Sequence, residues 1–349
     1  MFFALTDDQR DFGAAVRDFL AGKFDTDAVR AVVEDPDGGG LPATLWQAMG
    51  EQGWLAALVP EEYDGLGLGL VEAQVIAREL GAGVAPGPWR GTVLAAEAIR
   101  LAGSKSQQQQ WLPKLAAGEV VGALALRGST EDGWPAVEYA GSADLLVVAD
   151  AFGLRLLRAD EVSTRRLDSF DGTTRLATVT LADGVGEPLP GGSVEVHAQL
   201  AARAAVLIAA DLVGGAREAL TRTVAYDRER KQFGVPVGSF QAIKHTMADL
   251  HVGVTMAEHA VLYAAHALDT GAGGGTTLDD AAALAVAVAK SKASDAAQLV
   301  TGAMIQYHGG IGYTWEHEAH FFYKRAKRLA GTAGTAAEHR ERIAALTIG

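Results

Sequence analysis

The chain has 349 residues, of which 49% are hydrophobic and 21% are charged, and this composition excludes an intrinsically disordered protein. No cysteine is present, which excludes disulfide scaffolds, thiolate metal sites, iron–sulfur clusters and cysteine nucleophiles. The 43 acidic residues outnumber the 30 lysines and arginines, so the formal net charge of −13 disfavours nucleic acid and anionic membranes as partners.

Neither a secretory signal nor a membrane span is predicted. Residues 1–8 lack the basic start and the long apolar stretch of a secretory signal. The most apolar segment, residues 201–216, is interrupted by Arg203 and Asp211, which a bilayer-spanning helix would have to bury in lipid. We therefore expect a cytoplasmic protein that does not associate with membranes.

Residues 1–120 are predicted to be helical. Thr6 and Gln9 have the spacing of a capping box, in which each side chain bonds the backbone of the other residue. The apolar residues that follow recur on one helical face as far as Leu20. A glycine-rich loop at residues 59–69 then separates two further helical segments.

Residues 121–193 have the pattern of a small β domain. Residues 145–149 and 154–157 are short apolar runs typical of buried strands, and residues 176–181 alternate and are rich in β-branched side chains. Turn-forming residues, among them Asp171, Gly172 and Pro188, separate these runs.

Residues 194–349 are predicted to be helical again. Apolar residues between Ile243 and Leu268 recur in alternating steps of four and three, the seam of a packed helical bundle, and Ser239 is placed to cap the start of that helix. The predicted fold is therefore α+β, with an N-terminal helical domain (1–120), a small middle β domain (121–193) and a C-terminal four-helix bundle (194–349).

Two segments of the bundle have residue types suited to phosphate. Residues 228–234 place arginines and a lysine at a helix end, where such residues more often complement the helix dipole than bind a ligand. Residues 309–312 form a Gly-Gly-x-Gly turn, which lets backbone amides approach a phosphate closely but is weak evidence by itself.

Taken together and in this order, these segments resemble one family. Residues 230–234 (Arg-Lys-Gln-Phe-Gly), Phe240 with Gln241, and residues 306–313 followed by a basic helix are similar to the C-terminal bundle of the acyl-CoA dehydrogenase flavoproteins. Residues 59–67 resemble the N-terminal loop of that family, and residues 171–175 resemble a segment of its β domain. The resemblance covers nearly the whole chain and implies the same order of domains.

The resemblance implies FAD as the cofactor and assigns residues to it. Arg230 matches the arginine that reaches the FAD pyrophosphate of a neighbouring subunit, a task suited to a planar and always charged guanidinium. Phe233 would lie against the dinucleotide and Gln241 near its adenosine half. The residues matching the segment that wraps adenine and diphosphate are Gln306, Gly309 and Gly310, and Thr335 matches a threonine that contacts FAD. The alternative for each residue is that it only packs the subunit interface.

The reaction implied by the resemblance is α,β-desaturation of an acyl-CoA, with electrons passed on to an electron-transferring flavoprotein. It needs a carboxylate that removes the α proton. Here the two positions that carry this carboxylate in the family are Ala333 and Ala204, and neither side chain can accept a proton. No catalytic residue is therefore assigned. The β-domain segments that hold the flavin ring in the family are also altered, whereas the dinucleotide half is retained.

Three functions are compatible with this pattern. The favoured one is the subunit without a base in a heteromeric αβ acyl-CoA dehydrogenase, sharing flavin sites with a homologous partner in a tetramer. The alternatives are a homomeric acyl-CoA dehydrogenase with an unrecognised base, and a non-catalytic scaffold that binds no flavin. Residues 324–328, which include four cations, are expected to meet an acidic neighbour rather than CoA phosphates.

Overall fold

The N-terminal part of the computed structural model is a cluster of helices; the structure describes residues 4–151, 153–182, 184–271 and 277–348. The predicted capping box is present, with Thr6 Oγ1 accepting from Gln9 N at 3.2 Å and Gln9 Oε1 accepting from Thr6 N at 2.9 Å. The helices are α1 (Asp7–Lys23), α2 (Thr26–Glu34), α3 (Ala43–Glu51), α4 (Leu70–Ala82), α5 (Trp89–Ala102) and α6 (Lys105–Ala117).

Two small sheets form the middle domain. One has the strand order β1 (Gly122–Ala125), β3 (Leu145–Asp150), β4 (Gly153–Arg158) and β7 (Glu187–Pro188), with β1 and β3 parallel and the other pairs antiparallel. The other is antiparallel, with the order β2 (Trp134–Glu138), β6 (Leu176–Thr180) and β5 (Ser163–Leu167).

Strand β3 is buried on both faces, which explains its unbroken apolar run. Leu145 and Val147 pack towards α5 and α6, whereas Leu146 and Val148 pack with Trp134 of the second sheet. The prediction of buried strands in this domain is confirmed.

The C-terminal domain is helical and is built around α7 (Val194–Glu229). Residues 231–232 (β8) and 235–236 (β9) form a short hairpin, followed by α8 (Gln241–Thr270), α9 (Asp280–Tyr307), α10 (Ala319–Gly331) and α11 (Ala336–Thr347). Helix α7 is long and apolar enough to cross a membrane, but 78% of its most apolar window is buried inside the fold. It packs against α4, α8, α9 and α10 as the central helix of the molecule. The predicted α+β fold, with helical, β and helical domains, is confirmed.

The predicted cap of α8 is wrong. Ser239 Oγ donates to the carbonyl oxygen of Pro236 at 2.6 Å, and Phe240 precedes the helix without a side-chain cap. The short turn at residues 237–239 takes the serine hydroxyl away from the start of the helix.

Candidate active site and dinucleotide site

A cavity of ≈ 380 Å³ lies where the β domain meets the helices α5, α7 and α9 and the turn between α10 and α11. Its wall on α7 consists mostly of alanines. Ala204 and Ala333 both line it, although 129 positions separate them in the chain. The other lining residues are Arg90, Gly91, Leu94, Leu124, Ala125, Leu126, Arg127, Pro135, Ala136, Val137, Glu138, Ala201, Ala202, Ala205, Ile208, Val286, Thr332, Gly334, Glu338, His339 and Arg342.

Among the described residues, the carboxylates that line this cavity are Glu138 and Glu338. Glu138 accepts hydrogen bonds from Arg90 Nη2 at 2.8 and 2.9 Å and is also bonded by Arg328. Burial by itself would raise the pKa of Glu138, but the two guanidiniums outweigh burial and lower this pKa to about 2. Glu338 is the capping partner of Thr335: its Oε2 accepts from the Thr335 backbone N at 2.6 Å, which lowers its pKa. Both carboxylates are therefore weak bases, because each already accepts hydrogen bonds that lower its pKa.

His339 also lines the cavity, and its ring is oriented by the turn. Its Nε2 lies 2.9 Å from the carbonyl oxygen of Ala333, which can only accept, so Nε2 carries the proton. Its Nδ1 is covered by protein atoms and has no hydrogen-bond partner among the described residues. Burial lowers the pKa of His339, so the ring is neutral at pH 7. The lone pair on Nδ1 does not open onto the cavity.

A buried network of charges reaches the cavity at Arg90 and Glu138 and joins all three domains. Arg328 of α10 donates from Nε to Asp171 Oδ2 at 2.7 Å, and Arg325 donates from Nε to Asp211 Oδ1 at 2.8 Å. Arg90 of α5 completes the link by donating to Asp211 Oδ2 at 3.1 Å and to Glu138. The expectation that the basic face of α10 meets acidic neighbours is confirmed for these two arginines.

The residues assigned to the dinucleotide occur at the far end of α7. Arg230 ends this helix, and the described residues make no hydrogen bond or ion pair with its guanidinium. Phe233 lies in the β8–β9 turn with a φ of 54° and is 93% exposed, and its ring meets that of Phe240 edge-on at 6.3 Å. Gln241 is the exposed first residue of α8.

The end of α9 lies beside this group. Tyr226 near the end of α7 stacks on His308 with 4.5 Å between the ring centroids, which brings Gln306, Gly309 and Gly310 to the same end of the bundle. A Cβ placed on either glycine would meet nothing within 4 Å, so the backbone of this turn is open to a ligand.

Thr335 is not in this group: it is the exposed residue that caps α11, directly after the cavity-lining Ala333 and Gly334. The predicted residues therefore form two groups at different ends of α7. Ala204 at the cavity and Arg230 at the other group are 26 positions apart along one continuous helix, which corresponds to about 39 Å.

Comparison with known families agrees with the fold. The family described as "Acyl-CoA dehydrogenase, C-terminal domain" matches residues 191–347, and "Acyl-CoA dehydrogenase, N-terminal domain" matches residues 6–119. The acyl-CoA dehydrogenase IpdE2 of Mycolicibacterium smegmatis is 36% identical over 323 residues, which cover 91% of this chain and 92% of that protein. The chain therefore belongs to the acyl-CoA dehydrogenase family of flavoprotein oxidoreductases.

Two solved structures share the whole fold. The ChsE4–ChsE5 complex from Mycobacterium tuberculosis superposes with a TM-score of 0.89 at 24% identity, covering 99% of this chain and 98% of that one. A glutaryl-CoA dehydrogenase from Mycobacterium smegmatis in complex with FADH2 superposes with a TM-score of 0.85 at 21% identity, covering 99% and 96%. The first of these is a complex of two different proteins, and the second contains the reduced flavin.

Proposed function

We propose that this chain is one subunit of a heteromeric, FAD-dependent acyl-CoA dehydrogenase. It supplies the dinucleotide half of a flavin site, and a homologous partner in a tetramer supplies the base and the ring pocket. The observation that carries the proposal is that Ala204 and Ala333, at both base positions, line one cavity that lies about 39 Å along α7 from Arg230. Because of that distance, one copy of the chain cannot bring both groups to a single flavin, so the site has to be completed by a neighbour.

The residues at the far end of α7 fit the dinucleotide part of FAD. Arg230 offers the pyrophosphate a guanidinium that no described residue pairs with, and Gly309 and Gly310 leave their amides accessible to it. Phe233 presents an exposed ring, and Gln241 and Gln306 offer amide groups to the adenosine half. FAD, when bound, supplies the hydride acceptor for desaturation. Thr335, at the cap of α11 beside the cavity-lining Ala333 and Gly334, would contact FAD there.

The same proposal holds that this chain has no base of its own. Alanine occupies both family positions, at 204 and 333, and the two carboxylates of the cavity are held by Arg90, Arg328 and the cap of α11. A missing general base costs about two to four decades in rate. A homomer of this chain is therefore expected to be nearly inactive.

The remaining parts of the proposal follow from the family. The substrate of the complex is an acyl-CoA, and its electrons pass to an electron-transferring flavoprotein. The complex works in the cytoplasm, in keeping with a net charge of −13 and an α7 that is buried in the fold. The domains are divided at residues 120/121 and 193/194.

The test measures FAD per chain, first with the chain alone and then with a homologous acyl-CoA dehydrogenase chain from the same organism co-expressed. We expect little flavin with the chain alone and stoichiometric flavin in the complex. Arg230→Ala in the complex should weaken FAD binding at least about tenfold, because a charge-assisted pair to phosphate is lost. Arg228→Ala, an exposed arginine two positions earlier, is the matched control and should leave FAD binding unchanged.

Three outcomes would contradict the proposal. A pure homomer that turns over an acyl-CoA at a normal rate would show that it has its own base. Flavin content that is unaffected by Arg230→Ala would favour the scaffold alternative. A complex that stays free of FAD under saturating cofactor would remove the proposed half-site.

A further inference from the structure

Lys290 of α9 is a fully buried cation that is bonded by neutral groups in the part of the chain that the structure describes. Its Nζ donates to Ser294 Oγ at 3.0 Å, to the Ala330 carbonyl at 3.2 Å and to the Gly334 carbonyl at 2.9 Å. All three acceptors are neutral, and among the described residues no carboxylate lies within ion-pair distance of the ammonium. A buried charge of this kind is costly unless each of its donors is used, and here all three are used.

Two of the three bonds reach the end of α10 and the turn that follows it, whereas Ser294 lies on α9 itself. Ala330 has one of the last carbonyls of α10, which lack partners inside the helix, and Gly334 lies just before the cap of α11. The turn has two residues in the left-handed region, Ala333 with a φ of 56° and Gly334 with a φ of 95°. His339 holds the same turn from the other side through the Ala333 carbonyl.

We propose that Lys290 is a positioning residue that sets the backbone of residues 330–335 against the cavity. Through this turn it determines where Ala333 and Gly334 form the cavity wall and how Thr335 is presented to the flavin. The last of these consequences rests on the proposed function, whereas the fixing of the turn does not.

The protonation of Lys290 gives the proposal a specific signature. Burial lowers the pKa of this lysine to about 8, against an opposing effect of Glu338 on α11. The other titratable group that faces it, His339, has a lowered pKa and is neutral throughout this range. Above about pH 8 the amine is neutral, so its bonds to the Ala330 and Gly334 carbonyls lose their charge assistance and hold the turn less strongly.

This local effect has the opposite sign from the effect on global stability. The folded pKa lies below the ordinary value of 10.5, so the unfolded chain binds more protons between about pH 8 and 10.5. The contribution of Lys290 to the unfolding free energy therefore rises with pH in that window. If the turn exchanges faster between about pH 8 and 10.5, the cause is therefore local, because the effect of Lys290 on global stability has the opposite sign in that range.

The experiment is hydrogen exchange of the full chain, followed by peptides covering residues 331–338 and, as a reference, residues 89–102 of α5. In the wild type, the protection factors of the turn should fall as the pH passes through about 8, while those of the reference stay constant. Lys290→Met should lower protection in the turn about tenfold and abolish the pH dependence. Lys292→Met, an exposed lysine two positions later, should behave as wild type.

A second measurement follows FAD binding to the complex, which should weaken about tenfold in Lys290→Met and be unchanged in Lys292→Met. Wild-type protection in Lys290→Met would overturn the proposal. If that variant does not fold, a wild-type pH profile that is flat through pH 8 overturns it equally. Hydrogen exchange is measured on the chain alone and does not require FAD. A complex that fails to bind FAD would therefore contradict the proposed function but not the role of Lys290.

Discussion

Glu138 shows how single residues at the cavity are controlled by their partners. It ends strand β2, and its carboxylate is bonded by Arg90 of the N-terminal domain and Arg328 of the C-terminal domain. The three domains therefore meet at one carboxylate. Removing the charge of Glu138 leaves two buried guanidiniums without the carboxylate that they share. Removing one partner of a buried ion pair is strongly destabilising, because the remaining charge stays buried and uncompensated.

We expect Glu138→Gln to lower the free energy of unfolding by about 3–5 kcal/mol at pH 7, measured by urea denaturation. Because the folded pKa of about 2 is below the ordinary value of 4.5, the stabilisation by Glu138 is complete above about pH 4.5 and lost as the pH falls towards 2. The variant should therefore have a flatter pH profile in that range than the wild type.

The control for this prediction is Glu62→Gln. Glu62 pairs with Lys105 at 3.2 Å, but both side chains are exposed, so the loss should be about 1 kcal/mol or less. If Glu138→Gln is as stable as this control, the charge of Glu138 makes no net contribution to the free energy of unfolding, and the prediction is wrong.

At the level of elements, the crossing of α4 and α7 depends on two glycines. A Cβ on Gly214 would lie 1.8 Å from the Arg78 carbonyl oxygen, and a Cβ on Gly81 would lie 2.1 Å from that of Asp211. The two backbones are in direct contact at this point. The crossing fixes the position of Asp211 relative to α4. It therefore also fixes where the Asp211 carboxylate accepts hydrogen bonds from Arg325 and Arg90.

Gly214→Ala is expected to lower the free energy of unfolding by about 3 kcal/mol or more, because the added methyl group overlaps with backbone that cannot move aside. Gly215→Ala is the matched control on the same helix. Its Cβ would find its nearest neighbour at 3.4 Å, an ordinary contact, and alanine favours the helix by about 1 kcal/mol. Urea denaturation of both variants tests the prediction, and equal midpoints would contradict it.

At the scale of the whole molecule, exposed aromatic residues surround the proposed dinucleotide site. Phe233 and Tyr313 are 93% and 88% exposed, next to Arg230 and the glycine turn. Large exposed rings on one face of an acidic chain are typical of an interface. This face would be covered by the partner subunit that completes the flavin site.

We expect Phe233→Ser with Tyr313→Ser to weaken assembly with the partner at least about tenfold, measured by sedimentation. The unfolding free energy of the chain alone should change by about 0.5 kcal/mol or less, because both rings lie in solvent. Phe170→Ser, at another exposed phenylalanine on the β domain, is the control. If the wild type, the double variant and the Phe170→Ser control assemble equally strongly with the partner, the prediction that this face binds the partner is wrong.

Much of the fold was predictable because its signals are local. The capping box of Thr6 and Gln9 and the apolar run of β3 concern residues within one turn or one strand of each other. Ser239 shows the limit of such reasoning, since a serine before a helix caps it only when the backbone turns its hydroxyl inwards.

The sequence by itself determined the family, the order of domains and the residue types that suit a dinucleotide. It also showed that alanine occupies positions 204 and 333, the two positions at which the family carries its catalytic carboxylate. Only the tertiary structure decided that these two alanines share a cavity, that Glu138, His339 and Lys290 belong to its surroundings, and that Arg230 lies about 39 Å away. The reason is physical: composition and spacing constrain neighbours along the chain, whereas distances between elements are set by how helices and sheets pack.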